Sequence, residues 1–218
     1  MKKIIIIGGR GNGTIALSTI EDINKIVQQW EVLGFFNDFE TSDINGYPVI
    51  GKVNHDSAAD FLLDKDVFFL YTLISSKLNH KFINKLHKMN IPDERFATII
   101  HPTSIISKFA KIGHGVSIHP FVNVGPNVTI GNHVQIYSQS LIGHNSTLDN
   151  YSYVANNACI GAAVHLKPGA YLGINCSILE NTIIGKWALI GMGSVVIKDV
   201  IDFNKVVGNP SRIIGSTQ

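Results

Sequence analysis

One histidine, His144, stands where an imidazole can do chemistry. It lies in Ile142-Gly143-His144-Asn145, two residues past an aliphatic that recurs on a fixed period, so it sits near a corner of the chain and can face a neighbouring subunit. An imidazole there can take the proton from an amine or hydroxyl and so activate it as a nucleophile. A second segment, Gly8-Gly9-Arg10-Gly11-Asn12-Gly13, follows an apolar run and opens a helical pattern. Backbone N–H groups of such a turn can cradle a pyrophosphate at the positive end of the helix, although a tight strand-to-helix turn has the same composition without any ligand. Asn37 and Asp38 close the next strand, where an acidic residue would meet a ribose hydroxyl. Neither Cys159 nor Cys176 has an activating partner in the sequence, so neither is expected to serve as a nucleophile.

These groups must be positioned by two unlike halves. Residues 1–99 hold 23 Asp, Glu, Lys or Arg, and residues 100–199 hold only 8. The first half reads as βα units: strands over 3–7, 32–36, 67–73 and 96–100, and helices over 14–29, 56–63 and 75–89. With about 95 residues it is at most half of a dinucleotide fold. The second half repeats. Every sixth residue from Ile100 to Val196 is Ile, Val or Leu, with no insertion. Two residues earlier stands something small or β-branched, and Gly often follows, as at Gly113, Gly125, Gly143 and Gly161. Period six fits neither helical repeat and predicts a parallel β-helix of short strands, with both positions pointing inward. The glycines are expected to ease the bends. The expected domains are 1–97, an α/β Rossmann-like βαβ unit, and 98–218, an all-β parallel β-helix.

Composition removes several classes. Hydrophobic residues make up 45% and charged residues 16% of the 218, which suits a folded core and not a disordered tail. A net charge of +2 gives no electrostatic reason to expect a nucleic-acid partner. Two cysteines exclude a disulfide framework and point to a reducing compartment. The first apolar run is too short for a signal peptide, and none approaches the ~20 residues of a membrane span, so a soluble cytoplasmic protein without membrane insertion is expected.

The column pattern resembles the hexapeptide-repeat, left-handed β-helix acyltransferases, in which three hexads make one coil. A Gly-rich βαβ domain followed directly by such a prism, with Gly-Tyr-Pro-Val-Ile-Gly at 46–51, is similar to the sialic acid O-acetyltransferases and their relatives that N-acetylate nucleotide-linked amino sugars. The resemblance implies a homotrimer using acetyl-CoA, with His144 as the general base and Asn145 in place of the acidic residue that orients it. It implies that the Ala162 N–H polarises the thioester carbonyl. It places Gly173, Gly191, Gly193 and Ser194 along the pantetheine, and the tail Gly208-Asn209-Pro210-Ser211-Arg212 near the adenine, with Arg212 toward a phosphate. It puts the sugar nucleotide at Gly9, Gly11, Asn12, Gly13, Asn37 and Asp38. Asn12 and Tyr153 stand where the family has histidines. His114 and His119 resemble two ligands of the γ-class carbonic anhydrases, but the third position falls at Leu78, so no metal is expected. Tyr137, Tyr153 and Trp187 are expected to cover subunit contacts or line the cleft. The implied activity is acetyl transfer to an amino or hydroxyl group of a nucleotide-linked sugar in bacterial surface-glycan synthesis. The alternatives are O-acetylation of sialic acid or another free or polymer sugar, and a non-catalytic sugar-nucleotide scaffold.

Overall fold

The computed structural model describes residues 1–75 and 79–218. It divides into two units, Met1–Ile99 and Ile100–Gln218.

In the first unit, β1 (Lys2–Ile7) leads through the Gly-rich turn into α1 (Asn12–Ile26) and β2 (Trp30–Phe36). Then come β3 (Val49–Gly51), α2 (His55–Leu62), β4 (Val67–Tyr71) and α3 (Asn79–His87). The strands form one parallel sheet in the order β3-β2-β1-β4. β1 is central, and its Ile4–Ile7 run is wholly buried because helices cover a parallel sheet on both faces. The connections place the Gly-rich turn and Asn37 together at the carboxyl edge of β1 and β2, where the Gly8 N–H bonds to the Phe36 carbonyl at 3.0 Å. The sequence pattern does not disclose β3, three residues following Pro48. Strand content in 96–100 is confined to Ile99–Ile100 plus a bridge from Phe96 to Phe69. Of the helix expected over 75–89, residues 76–78, Leu78 among them, lie outside the described residues.

The second unit is a three-walled column. Two-residue strands pair in parallel, each residue with the one eighteen further on, as in Ser117↔Gln135↔Tyr153↔Tyr171. Three sheets result, and a hairpin of Asn204–Val207 with Arg212–Ser216 closes one of them. The period-six aliphatics from Ile118 to Val196 fill the interior at 4% exposure or less, together with the small residues two positions earlier. Inward serines are satisfied within the column: the Ser146 hydroxyl donates to the Gly161 carbonyl and accepts from the Val164 N–H.

The bends differ from expectation. Left-handed backbone does not fall on the glycines that follow the aliphatics. It falls two residues later, at every sixth residue from Gly115 to Gly193, mostly on non-glycines such as Asn127, Asn145, Asn157 and Trp187. Asn adopts this region at the least cost of any residue with a side chain. The glycines serve close approach instead. A Cβ on Gly143 would lie 2.5 Å from the Gly161 carbonyl, and one on Gly161 would lie 2.6 Å from the Glu180 nitrogen.

Candidate active site

One edge of the column holds both His144 and Ala162. Pro126, His144, Ala162 and Glu180 follow one another along it, about 4.8 Å apart, the spacing of paired strands. The corners are bonded in series: the Asn145 N–H donates to the Pro126 carbonyl, the Ala163 N–H to the His144 carbonyl, and the Asn181 N–H to the Ala162 carbonyl. His144 is exposed at its corner. Its Nδ1 lies 3.1 Å from Asn145 Nδ2, and Asn145 Oδ1 accepts from Asn127 Nδ2 at 3.1 Å. The Ala162 N–H has no hydrogen-bond partner among the described residues, whereas the next N–H along the chain is used by the stack. The edge therefore offers an accessible imidazole and, one coil on, an open backbone donor. That pair can remove a proton from a nucleophile and stabilise charge on an attacked carbonyl oxygen.

Asp149, the acid closest to His144 in the sequence, is engaged elsewhere: its Oδ2 accepts from His165 Nε2 at 2.8 Å. Cys176 is buried in the column, and burial pushes its thiol up to about 12, so it supplies no nucleophile at neutral pH.

Toward the end of the column the expected pantetheine residues separate. Ser194 is fully buried, and its hydroxyl faces inward to accept from the Gly208 N–H at 3.2 Å. Gly173 and Gly191 owe their lack of a side chain to packing, since a Cβ would meet the Met192 nitrogen at 2.7 Å and Val207 Cγ1 at 2.4 Å respectively. Gly193, at φ 66°, is the glycine of this set that borders open space. The tail is pinned to the last coil by the Ser211 N–H on the Val195 carbonyl. The Asn209–Pro210 peptide is cis. Arg212 is exposed and carries no ion pair among the described residues.

In the first unit α1 opens at Asn12 with neither a side-chain cap nor an acidic residue in its first turn, so its positive end is uncompensated. Gly11, at φ 91°, has open space where a Cβ would project, whereas Gly9 is required by Asn37, whose Nδ2 would lie 2.2 Å from a Cβ. Gly13 lets α1 settle against Phe35. Asn37 is consumed by the turn, donating to the Gly8 carbonyl and accepting from the Phe39 and Glu40 N–H groups. Asp38 is clasped as well, by the Val53 N–H at 3.0 Å and by the Lys85 ammonium. As the side chains stand, Asn37 and Asp38 both bind protein groups. Beside the clasp lies a cleft of about 640 Å³ lined by Asn54, His55, Lys81, Asn84, Lys85 and Lys88.

Three tyrosines and a histidine form a largely buried stack. His119, Tyr137, Tyr153 and Tyr171 succeed one another at centroid distances of 4.5, 5.0 and 4.5 Å. Tyr153, expected among the substrate-binding residues, is only 8% exposed. His119 is buried and His114 exposed, so the two do not face one site, and no group of three potential metal-ligating side chains gathers among the described residues.

Residues 3–86 match the PglD N-terminal domain, and residues 109–144 match the bacterial transferase hexapeptide (six repeats). Over 44 residues the chain is 46% identical to dTDP-3-amino-3,6-dideoxy-alpha-D-galactopyranose 3-N-acetyltransferase of Aneurinibacillus thermoaerophilus, a match spanning 20% of this chain and 23% of that protein. Three solved structures share the whole fold. A histidine-to-asparagine variant of perosamine N-acetyltransferase from Caulobacter crescentus, in complex with CoA and GDP-perosamine, is 21% identical with a TM-score of 0.85, covering 99% of this chain and 98% of that one. The acetyltransferase domain of PglB from Neisseria gonorrhoeae, in complex with acetyl coenzyme A, is 19% identical with a TM-score of 0.84, covering 98% and 99%. WeeI from Acinetobacter baumannii is 25% identical with a TM-score of 0.81, covering 98% and 100%. These likenesses make the column a left-handed parallel β-helix preceded by a parallel-sheet domain.

Proposed function

We propose, on the premise that this chain joins a PglD-type N-terminal domain to a hexapeptide-repeat transferase domain, that it transfers acetyl from acetyl-CoA to an amino group of a nucleotide-linked sugar. The observation that carries this reading is the edge itself, with His144 exposed one coil from the unpartnered Ala162 N–H. The amine nitrogen attacks the thioester carbonyl and forms the C–N bond, while His144 takes the displaced proton. The Ala162 N–H holds the carbonyl oxygen. The C–S bond breaks, and the imidazolium returns its proton to the leaving thiolate. The relatives with CoA and GDP-perosamine, or with acetyl coenzyme A, support this choice of donor and acceptor. An amide, not a carboxylate, beside Nδ1 favours an amine over a hydroxyl acceptor. An amine loses its proton readily once the bond has formed, whereas a hydroxyl needs a stronger base beforehand.

The nucleotide belongs to the first unit in this reading. The uncapped start of α1 and the lysine-lined cleft near Asp38 supply positive potential for its phosphates. The acting form is a homotrimer, supported by large apolar side chains left exposed on the column: Ile105 at 67%, Phe121 at 63% and Leu141 at 44%. Free Cys159 and Cys176 support a cytoplasmic place of work. No helix among the described residues is long and apolar enough to cross a membrane.

The test is thiol release from acetyl-CoA with a panel of UDP-, GDP-, dTDP- and CMP-linked amino sugars, with mass-spectrometric detection of product. His144→Ala is expected to lower kcat roughly 10²–10⁴-fold with an unchanged melting temperature. Equal rates would remove His144 as the base. No release with any acceptor would leave the scaffold reading in its place.

A further inference from the structure

Two asparagines stand in series behind the imidazole. Asn127 and Asn145 occupy successive left-handed corners, at φ 58° and 61°, so the coil fixes their backbones and leaves their amides as the movable parts. Asn127 Nδ2 donates to Asn145 Oδ1 at 3.1 Å, which uses the accepting end of Asn145. Its donating end, Nδ2, is then what faces His144 Nδ1 at 3.1 Å. A ring nitrogen facing an N–H must be the bare one, so this arrangement places the ring hydrogen on Nε2. It also opposes the imidazolium, whose Nδ1–H would point at another donor.

The carbonyl and amino ends of an amide are nearly the same size, so both side chains can turn over together on the same heavy-atom positions. Asn145 Oδ1 then accepts Nδ1–H, Nε2 is bare, and the imidazolium is supported. We infer that Asn127, which lies a full coil from the imidazole's own corner, decides through Asn145 which nitrogen of His144 carries the proton. Asn127 is thus a positioning residue. The geometry stands by itself; its bearing on catalysis rests on His144 being the base, a role that requires the turned-over arrangement when Nε2 receives the proton.

Two substitutions separate the states. Asn127→Asp leaves only acceptors, which obliges Asn145 to present Nδ2 backward and Oδ1 to the ring. Asn127→Gly removes the side chain at a φ that glycine adopts freely, so the coil is not strained. The measurement is ¹⁵N NMR of the ring nitrogens in the full-length chain across pH, with the His144 signal identified by its loss in His144→Ala. Asn127→Asp should favour the Nδ1–H tautomer, and Asn127→Gly should give mixed tautomers. Asn157→Asp is the control. Asn157 bonds to Asn175 at 2.7 Å in a like pair on another edge, and its substitution should leave His144 unchanged. The inference is overturned by equal tautomer ratios in wild type and Asn127→Asp, or by an equal change of ratio in the control. In parallel, kcat/KM should change in Asn127→Asp and stay at the wild-type value in Asn157→Asp. If the NMR changes appear while wild type transfers no acetyl, the relay stands and the transferase reading falls.

Discussion

Gly143 shows how little room the coils leave beside the imidazole. Its missing side chain would project onto the Gly161 carbonyl, which is backbone and cannot move aside. Gly143→Ala is expected to cost about 1–3 kcal/mol, read by chemical denaturation, and to lower turnover as well, because the forced shift lies next to His144 and Ala162. Asn145→Gly should leave stability within about 0.5 kcal/mol, since glycine accepts φ 61°. The glycine column itself is plain in the sequence, but its reason is not. Period six reveals where Gly recurs, whereas only the stacked coils reveal that those positions meet backbone and that the bends fall on Asn, His and aromatic residues. The exposed corner position of His144 was legible because it stands beside a conspicuous ladder. The clasp on Asp38 was not, because Val53 and Lys85 reach it from elements distant in the chain.

At the scale of elements, the inward serines do what backbone pairing leaves undone. Ser146 links the Gly161 carbonyl and the Val164 N–H inside the column, so Ser146→Ala strands a buried N–H. The expected loss is about 1–3 kcal/mol, against a near-neutral result if the hydroxyl were idle, and denaturation midpoints distinguish the two. Apart from the closing hairpin, the strands of this unit are only two residues long, below any propensity signal, and were found by recurrence alone. In the first unit β1 and α1 follow from an isoleucine run, a glycine turn and a helical period. β3 eluded the same reasoning because three residues show no period, and its place beside β2 depends on Gly34, where a Cβ would lie 2.3 Å from the Pro48 carbonyl.

For the molecule as a whole, acid should act first through a histidine that takes no part in the proposed reaction. Burial, with His101 nearby, holds His119 down to about 4 against an ordinary value of 6.5, and its ring lies on Tyr137. The folded state therefore resists a proton that the unfolded chain accepts. The resulting stability is complete above pH 6.5, falls as pH drops below it, and is lost by about pH 4. The span is worth about 3 kcal/mol. Denaturation of His119→Gln between pH 7 and 4 should show a flatter acid limb than wild type, and an unchanged slope would assign the loss to other groups.

The eighteen-residue register of the walls, which holds between Asn127 and Asn145 and again between Asn157 and Asn175, also quantises the length of this chain. One extra residue anywhere in the ladder would send every later aliphatic toward water. Six would restore the interior but rotate all that follows by one wall, stranding the imidazole on a different edge from its amide donor. Growth or loss by whole turns is the remaining freedom, so the molecule is a ruler marked in complete revolutions.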